Sequence, residues 1–186
     1  RGPEEAGKLG MSLALVNAIY TVSHGLAQAR QPTMAMAAAR KNLDEMEGLF
    51  FSRFRWALGL YGVGCACLWV LLVLTWSVVP EIPHRLLSPS ETTVLMSAMG
   101  IRLGRDLLNL YGRSFKQEPF FRFELYQGGL AIALLPWAAT HSGAEGMMLA
   151  WLGINLVLVV PNTIAFRTFR RHFQGDFTHR TPSEPR

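Results

Sequence analysis

The chain has 186 residues, of which 50% are hydrophobic and only 17% charged, with a formal net charge of +5. The charged share falls below the roughly 25% of soluble domains, and the apolar residues gather in blocks about 20 long with the charges between them, which argues against a soluble fold and for a membrane protein. The basic residues do not gather on one face interleaved with aromatics, as a nucleic-acid site needs, so no nucleic-acid partner is expected.

The first block, 9–29, is uncharged apart from His24. Asn17, Thr21, His24 and Gln28 follow steps of four, three and four, which set them on one helix face with Tyr20 beside them. One polar residue there is ordinary helix–helix glue; four on a face suggest water access. Histidine is the side chain best suited to exchange a proton under physiological conditions, which admits proton coupling at His24, although a satisfied hydrogen-bond partner is its commoner role. The 30–55 connection mixes Arg40, Lys41, Asp44, Glu45 and Glu47 with Met36, Leu43, Met46, Leu49 and Phe50. It reads as an amphipathic helix lying at the membrane surface or as a solvated helical loop.

The block 56–80, "WALGLYGVGCACLWVLLVLTWSVVP", has no charge, and about 20 such residues cross a hydrocarbon core. Cys65 and Cys67 lie within it, poorly spaced for a mutual disulfide and too few for zinc; they read as small apolar filler. The block 92–112 is apolar but holds Arg102, Arg105 and Asp106. Residues 102, 106, 109 and 113 fall on one face, giving an Arg, Asp, Asn, Arg stripe with Arg105 beside it. A charge at mid-bilayer costs several kcal/mol unless it faces a cavity or a partner, so this stripe is expected to face a polar lumen. One carboxylate cannot neutralise both arginines, and the remaining positive charge suits an anionic substrate such as a phosphate or pyrophosphate. Salt bridges to parts of a longer protein outside this sequence, or snorkelling to headgroups, are the plainer roles for such arginines.

The blocks 123–141 and 146–166 complete five expected spans, the first holding Pro136, the second Asn155 and Asn162 on one face and a kink expected at Pro161. The expected fold is all-α: a polytopic transmembrane bundle over 1–173, with 174–186 a disordered cytoplasmic tail. If the N-terminus lies outside, 13 of the 18 Lys and Arg face the cytoplasm, three face outward, and Arg102 and Arg105 lie within a span. That is a clear positive-inside bias. No signal-peptide pattern is visible, and an odd span count that starts outside suggests the C-terminal portion of a larger transporter-like chain. HExxH, GxSxG, paired CxxC and phosphate-binding glycine loops do not occur, so neither an enzyme nor a metal or cofactor is expected. The rival readings are a membrane enzyme using outward Glu81, Glu91 and Glu145, and a structural membrane subunit.

Three stretches carry a resemblance: "GLAQARQPTMAMAAARKNLDEMEGLFFSRFRWALGLYG" at 25–62, "LYGRSFKQEPFFRFELYQGGLAI" at 110–132 and "FRTFRRHF" at 166–173. Together they are similar to the C-terminal portion of polysaccharide-exporting flippases of the multidrug/oligosaccharidyl-lipid/polysaccharide superfamily. The resemblance implies helices eight to twelve of a twelve-helix transporter in the bacterial inner membrane, with the C-terminus cytoplasmic. Its implied partners are the lipid bilayer, an anionic lipid-linked sugar and an N-terminal bundle of the same transporter. By role, it implies substrate contact for Arg102, Arg105 and Arg113; the two polar stripes add Asp106, Asn109, Asn17, His24 and Gln28 as candidate substrate-binding residues.

Overall fold

A computed structural model describes residues 3–76, 78, 85–115 and 120–178, without side chains for 173–178. Every element is helical: α1 Pro3–Gln28, α2 Gln31–Ala39, α3 Leu43–Trp76, α4 Pro89–Ser114 and α5 Phe121–Thr178. Among the described residues, three stretches are long and apolar enough to cross a membrane: Pro3–Ala39, α3 and Phe121–His172. In the most apolar window of α3 only 17% of the residues are buried within the protein. Leu71, Leu74, Val157 and Val160 all point outward. That distribution is the reverse of a water-soluble bundle and suits helices whose outer surface is solvated by hydrocarbon.

The core lies at α4, which packs on every other helix. It buries Leu95, Met99, Leu103, Leu107 and Leu110 at helical spacing. A capping box starts it. Ser88 Oγ accepts from the Glu91 backbone N–H at 3.3 Å, and the Glu91 carboxylate accepts from the Ser88 N–H at 2.8 Å. Glu91, an expected catalytic candidate of the enzyme reading, is thereby a helix cap. Close approach needs glycine at two places. A Cβ on Gly64 would lie 2.6 Å from Ile19 Cγ2, where α1 meets α3, and one on Gly100 would lie 3.0 Å from the Tyr61 ring. That ring donates its hydroxyl to the Met96 carbonyl at 2.7 Å. Beside Gly104, one turn on from Gly100, there is open space.

The 30–55 connection, expected as one helix or a helical loop, holds parts of two helices. The segment divides into α2, whose Met34, Ala37 and Ala38 are buried, and the first turns of α3. Pro32 sits in the first turn of α2, where its missing N–H costs nothing. Lys41 at φ 60° ends it, and Asn42 restarts the chain by accepting the Glu45 N–H at 3.2 Å. At 34 residues α3 is about 51 Å long, well beyond a hydrocarbon core of about 30 Å, so 43–55 forms its extension.

The blocks 123–141 and 146–166 lie in two helical arms of α5 that meet at Gly143 (φ 69°, ψ −150°), and the backbone stays helical through Pro136 and Pro161. Unbroken, this helix would set Glu124 and Asn155 about 46 Å apart. Both instead bond to the guanidinium of Arg105, so the arms 121–142 and 144–178 fold back as a hairpin. The helix runs to Thr178. The rest of the expected tail, from 179, lies outside the described residues, as does Glu81.

Candidate functional site

Two charged groups sit on α4, one turn apart, with opposite surroundings. Arg105 is 2% exposed. Its Nη1 donates to Asn155 Oδ1 at 3.2 Å, and its Nη2 donates to Glu124 Oε1 at 3.2 Å. Glu124 Oε1 also accepts from Asn109 Nδ2 at 2.9 Å. Asn155 in turn donates to the Trp151 carbonyl at 2.8 Å. One guanidinium therefore ties α4 to both arms of the α5 hairpin, an arrangement suited to its planar fork of donors. Arg105 Nε and Asn109 Oδ1 are buried without a hydrogen-bond partner among the described residues. Such orphans are costly in a dry interior, and they fit an interior with room for water.

Arg102 occupies the open side. Its Nε lies 3.5 Å from Asp106 Oδ2, and its side chain is 40% exposed. The guanidinium sits between two rings, 5.6 Å from the centroid of Tyr20 and 5.8 Å from that of Trp151, as cation–π attraction favours. The Tyr20 hydroxyl donates to the same Asp106 oxygen, and His24 stacks parallel to Tyr20 at 5.8 Å. Arg102 and Asn17 are the polar side chains on the wall of a cavity of about 550 Å³ between α1, α4 and α5. The remainder of the wall is apolar, with Leu13, Leu95, Met99, Leu135, Met148 and Trp151 prominent.

The polar stripes of α1 and α4 thus meet, but not along their full length. Asn17, Tyr20 and His24 join Arg102 and Asp106. Thr21 turns its hydroxyl to the Asn17 carbonyl at 2.8 Å, and Gln28 is exposed at the end of α1. Arg113 is exposed and lines a small cleft of about 110 Å³ with Asn109 and Glu124. The face of α1 that packs inward is a different one, formed by Ser12, Val16, Ser23 and Ala27. Asn155 and Asn162 share one face as their spacing implies, both buried.

The expected surplus of positive charge is corrected. Arg102 is paired with Asp106 and Arg105 with Glu124, so the site holds two cations and two anions. Glu124 escapes a sequence reading because it sits at the start of its block, where a carboxylate looks like a boundary residue, and its partner lies 19 positions away on another helix.

A second polar junction closes the other end of α4. Arg170 grips Glu47 through Nε at 2.8 Å and Nη2 at 2.6 Å, and the Tyr111 hydroxyl donates to the same carboxylate at 3.3 Å. Phe50, Phe166 and Phe169 pack edge-on around Tyr111, and Phe166 also lies tilted against Phe50. Bidentate pairs of this kind resist replacement by a neutral isostere. Glu47→Gln is expected to cost about 1–2 kcal/mol, read as a lower midpoint of thermal unfolding in detergent, while Arg170→Lys recovers only part of the wild-type value.

No family model matches the chain, and neither a curated protein nor a solved structure matches it. The resemblance to the flippases therefore stands on the loose motifs at 25–62, 110–132 and 166–173 alone.

Proposed function

We propose that this chain is a membrane-embedded transport unit whose α1–α4–α5 cavity receives an anionic, lipid-tailed substrate. A lipid-linked oligosaccharide or polysaccharide precursor, flipped or exported across a bacterial inner membrane, is the class that the resemblance favours. The observation that carries the reading is the position of Arg102: a half-exposed guanidinium on the wall of an otherwise apolar cavity. Such a wall suits an amphiphile, with the anionic head at Arg102 and the apolar portion along Leu13, Leu95, Met99 and Leu135. Arg105, locked to Glu124 and Asn155, holds the frame and does not reach for the substrate.

Five crossings follow in this reading: α1, α3, α4 and the two arms of α5. The 13 basic residues on the cytoplasmic side support it. The charged helix α4 is the most enclosed of the five, which is how a bilayer accommodates ionised groups. A second helical bundle would complete the alternating path, rocking against this one.

Arg102→Gln tests the reading. In lipid nanodiscs the wild-type chain is expected to bind an alkyl sulfonate above the level of empty discs. Removing a charge-assisted hydrogen bond of about 1.5–3 kcal/mol is expected to weaken that binding roughly 10- to 100-fold. Equal binding by wild type and Arg102→Gln would refute the reading.

A further inference from the structure

We infer that an anion binds at Arg102 together with one proton, and that Asp106 is the group that takes it. The inference rests on the anionic-substrate reading and adds the coupling ion to it. Its basis is charge balance. Arg102 and Arg105 are matched by Asp106 and Glu124, so these four groups carry no net charge before any ligand arrives. A monoanion entering an apolar cavity would leave one uncompensated negative charge in a poorly solvated place, which is costly. A proton taken up from water restores neutrality.

Geometry selects the acceptor. An anion that engages Arg102 competes with Asp106, which meets Arg102 at 3.5 Å. Once displaced, the Asp106 carboxylate keeps the Tyr20 hydroxyl on Oδ2 and loses its closest cation. It is then the group that receives the proton. Glu124 by contrast retains both Arg105 and Asn109 whatever happens at Arg102. The titratable and charged groups that face Asp106 are Tyr20 from α1, with His24 stacked on it, Arg102 and Arg105 from α4, and Glu124 from α5. From α3, Tyr61 turns to Met96 and Glu47 to Tyr111. The bound state then contains the anion, Arg102 and a neutral Asp106 carboxyl; release of the anion returns the proton to water and Asp106 to Arg102. Such a cycle lets a proton gradient drive movement of the anion.

The probe is tetradecyl sulfonate, ionised at every working pH, with the chain in nanodiscs of zwitterionic lipid and empty discs subtracted. Calorimetry in two buffers of different ionisation enthalpy counts protons. Wild type is expected to take up about one proton per probe, with affinity falling as pH rises, by about tenfold per pH unit where one full proton is taken up. Asp106→Asn is expected to bind with no proton uptake and no pH dependence. Methanesulfonate, the same head without a tail, separates a free anion from an amphiphile; uptake with either probe supports the coupling. Wild-type binding without protons, or uptake that persists in Asp106→Asn, overturns it while leaving the anion site intact. Binding that Arg102→Gln does not weaken overturns both.

Discussion

Glu124→Leu is expected to be the most damaging single substitution in the chain. It removes the carboxylate that compensates Arg105, a guanidinium 2% exposed, and it also frees Asn109 Nδ2 from its acceptor. Breaking one side of a buried ion pair leaves a charge that neither lipid nor a packed core can solvate, at a cost of 3–5 kcal/mol in general. The Glu124 side chain is 39% exposed, so water softens the loss, and about 3 kcal/mol is the expected figure. Thermal unfolding in detergent would show it as a large fall in midpoint or as loss of the monodisperse protein. The double variant Arg105→Met with Glu124→Leu separates charge from shape. It removes both ions and is expected to recover much of the lost stability, since an apolar pair of similar volume commonly substitutes for a buried salt bridge. If Glu124→Leu unfolds like wild type, the tie between α4 and the hairpin is not a structural element.

The second large effect belongs to the turn of the hairpin. Gly143 holds φ 69° and ψ −150°, a region that residues with a Cβ enter only at a cost of about 1–3 kcal/mol. Three residues on, a Cβ at Gly146 would lie 2.4 Å from Ser142 Cβ and 3.0 Å from the Ala138 carbonyl oxygen. The second obstacle is backbone and cannot swing aside. Gly143→Ala and Gly146→Val are each expected to destabilise the hairpin by about 2 kcal/mol. Because α4 relies on both arms for Arg105, the damage should reach the site: the Arg102-dependent binding of alkyl sulfonate should fall with stability. Gly129→Ala, in open space on the first arm, serves as the control and should be neutral or slightly stabilising.

The stripe on α4 was legible because it needs only the period of a helix. Positions 102, 106 and 109 share a face in any α-helix, and a bilayer forbids that face from looking outward. The matching stripe on α1 was legible for the same reason, and its upper part does meet Arg102. What the period cannot supply is the partner. Glu124 lies on another helix, and Arg170 meets Glu47 across 123 positions; each pairing depends on how the hairpin folds back, which is set by one glycine. The 30–55 segment misled for a different reason. Its spacing of Met and Leu fits a helix on a membrane surface equally well as one continuing into a span. The signals that decide were local and present: Asn42 with Glu45 three positions on marks a helix start, and Ser88 with Glu91 marks another.

The most direct test of the account asks whether the Arg102 face is wet. In a background with Cys65 and Cys67 replaced by Ala, single thiols are introduced by Asn17→Cys, on the cavity wall, and by Leu71→Cys, on the outward face of α3. Both are challenged in native membranes with a charged methanethiosulfonate, which reacts only with thiols that water reaches. The account predicts rapid modification at position 17, slowed by alkyl sulfonate, and none at 71. Modification at 71 with none at 17 would place the apolar surface in water and the arginine face in a dry contact, contradicting the cavity as a route for any anion.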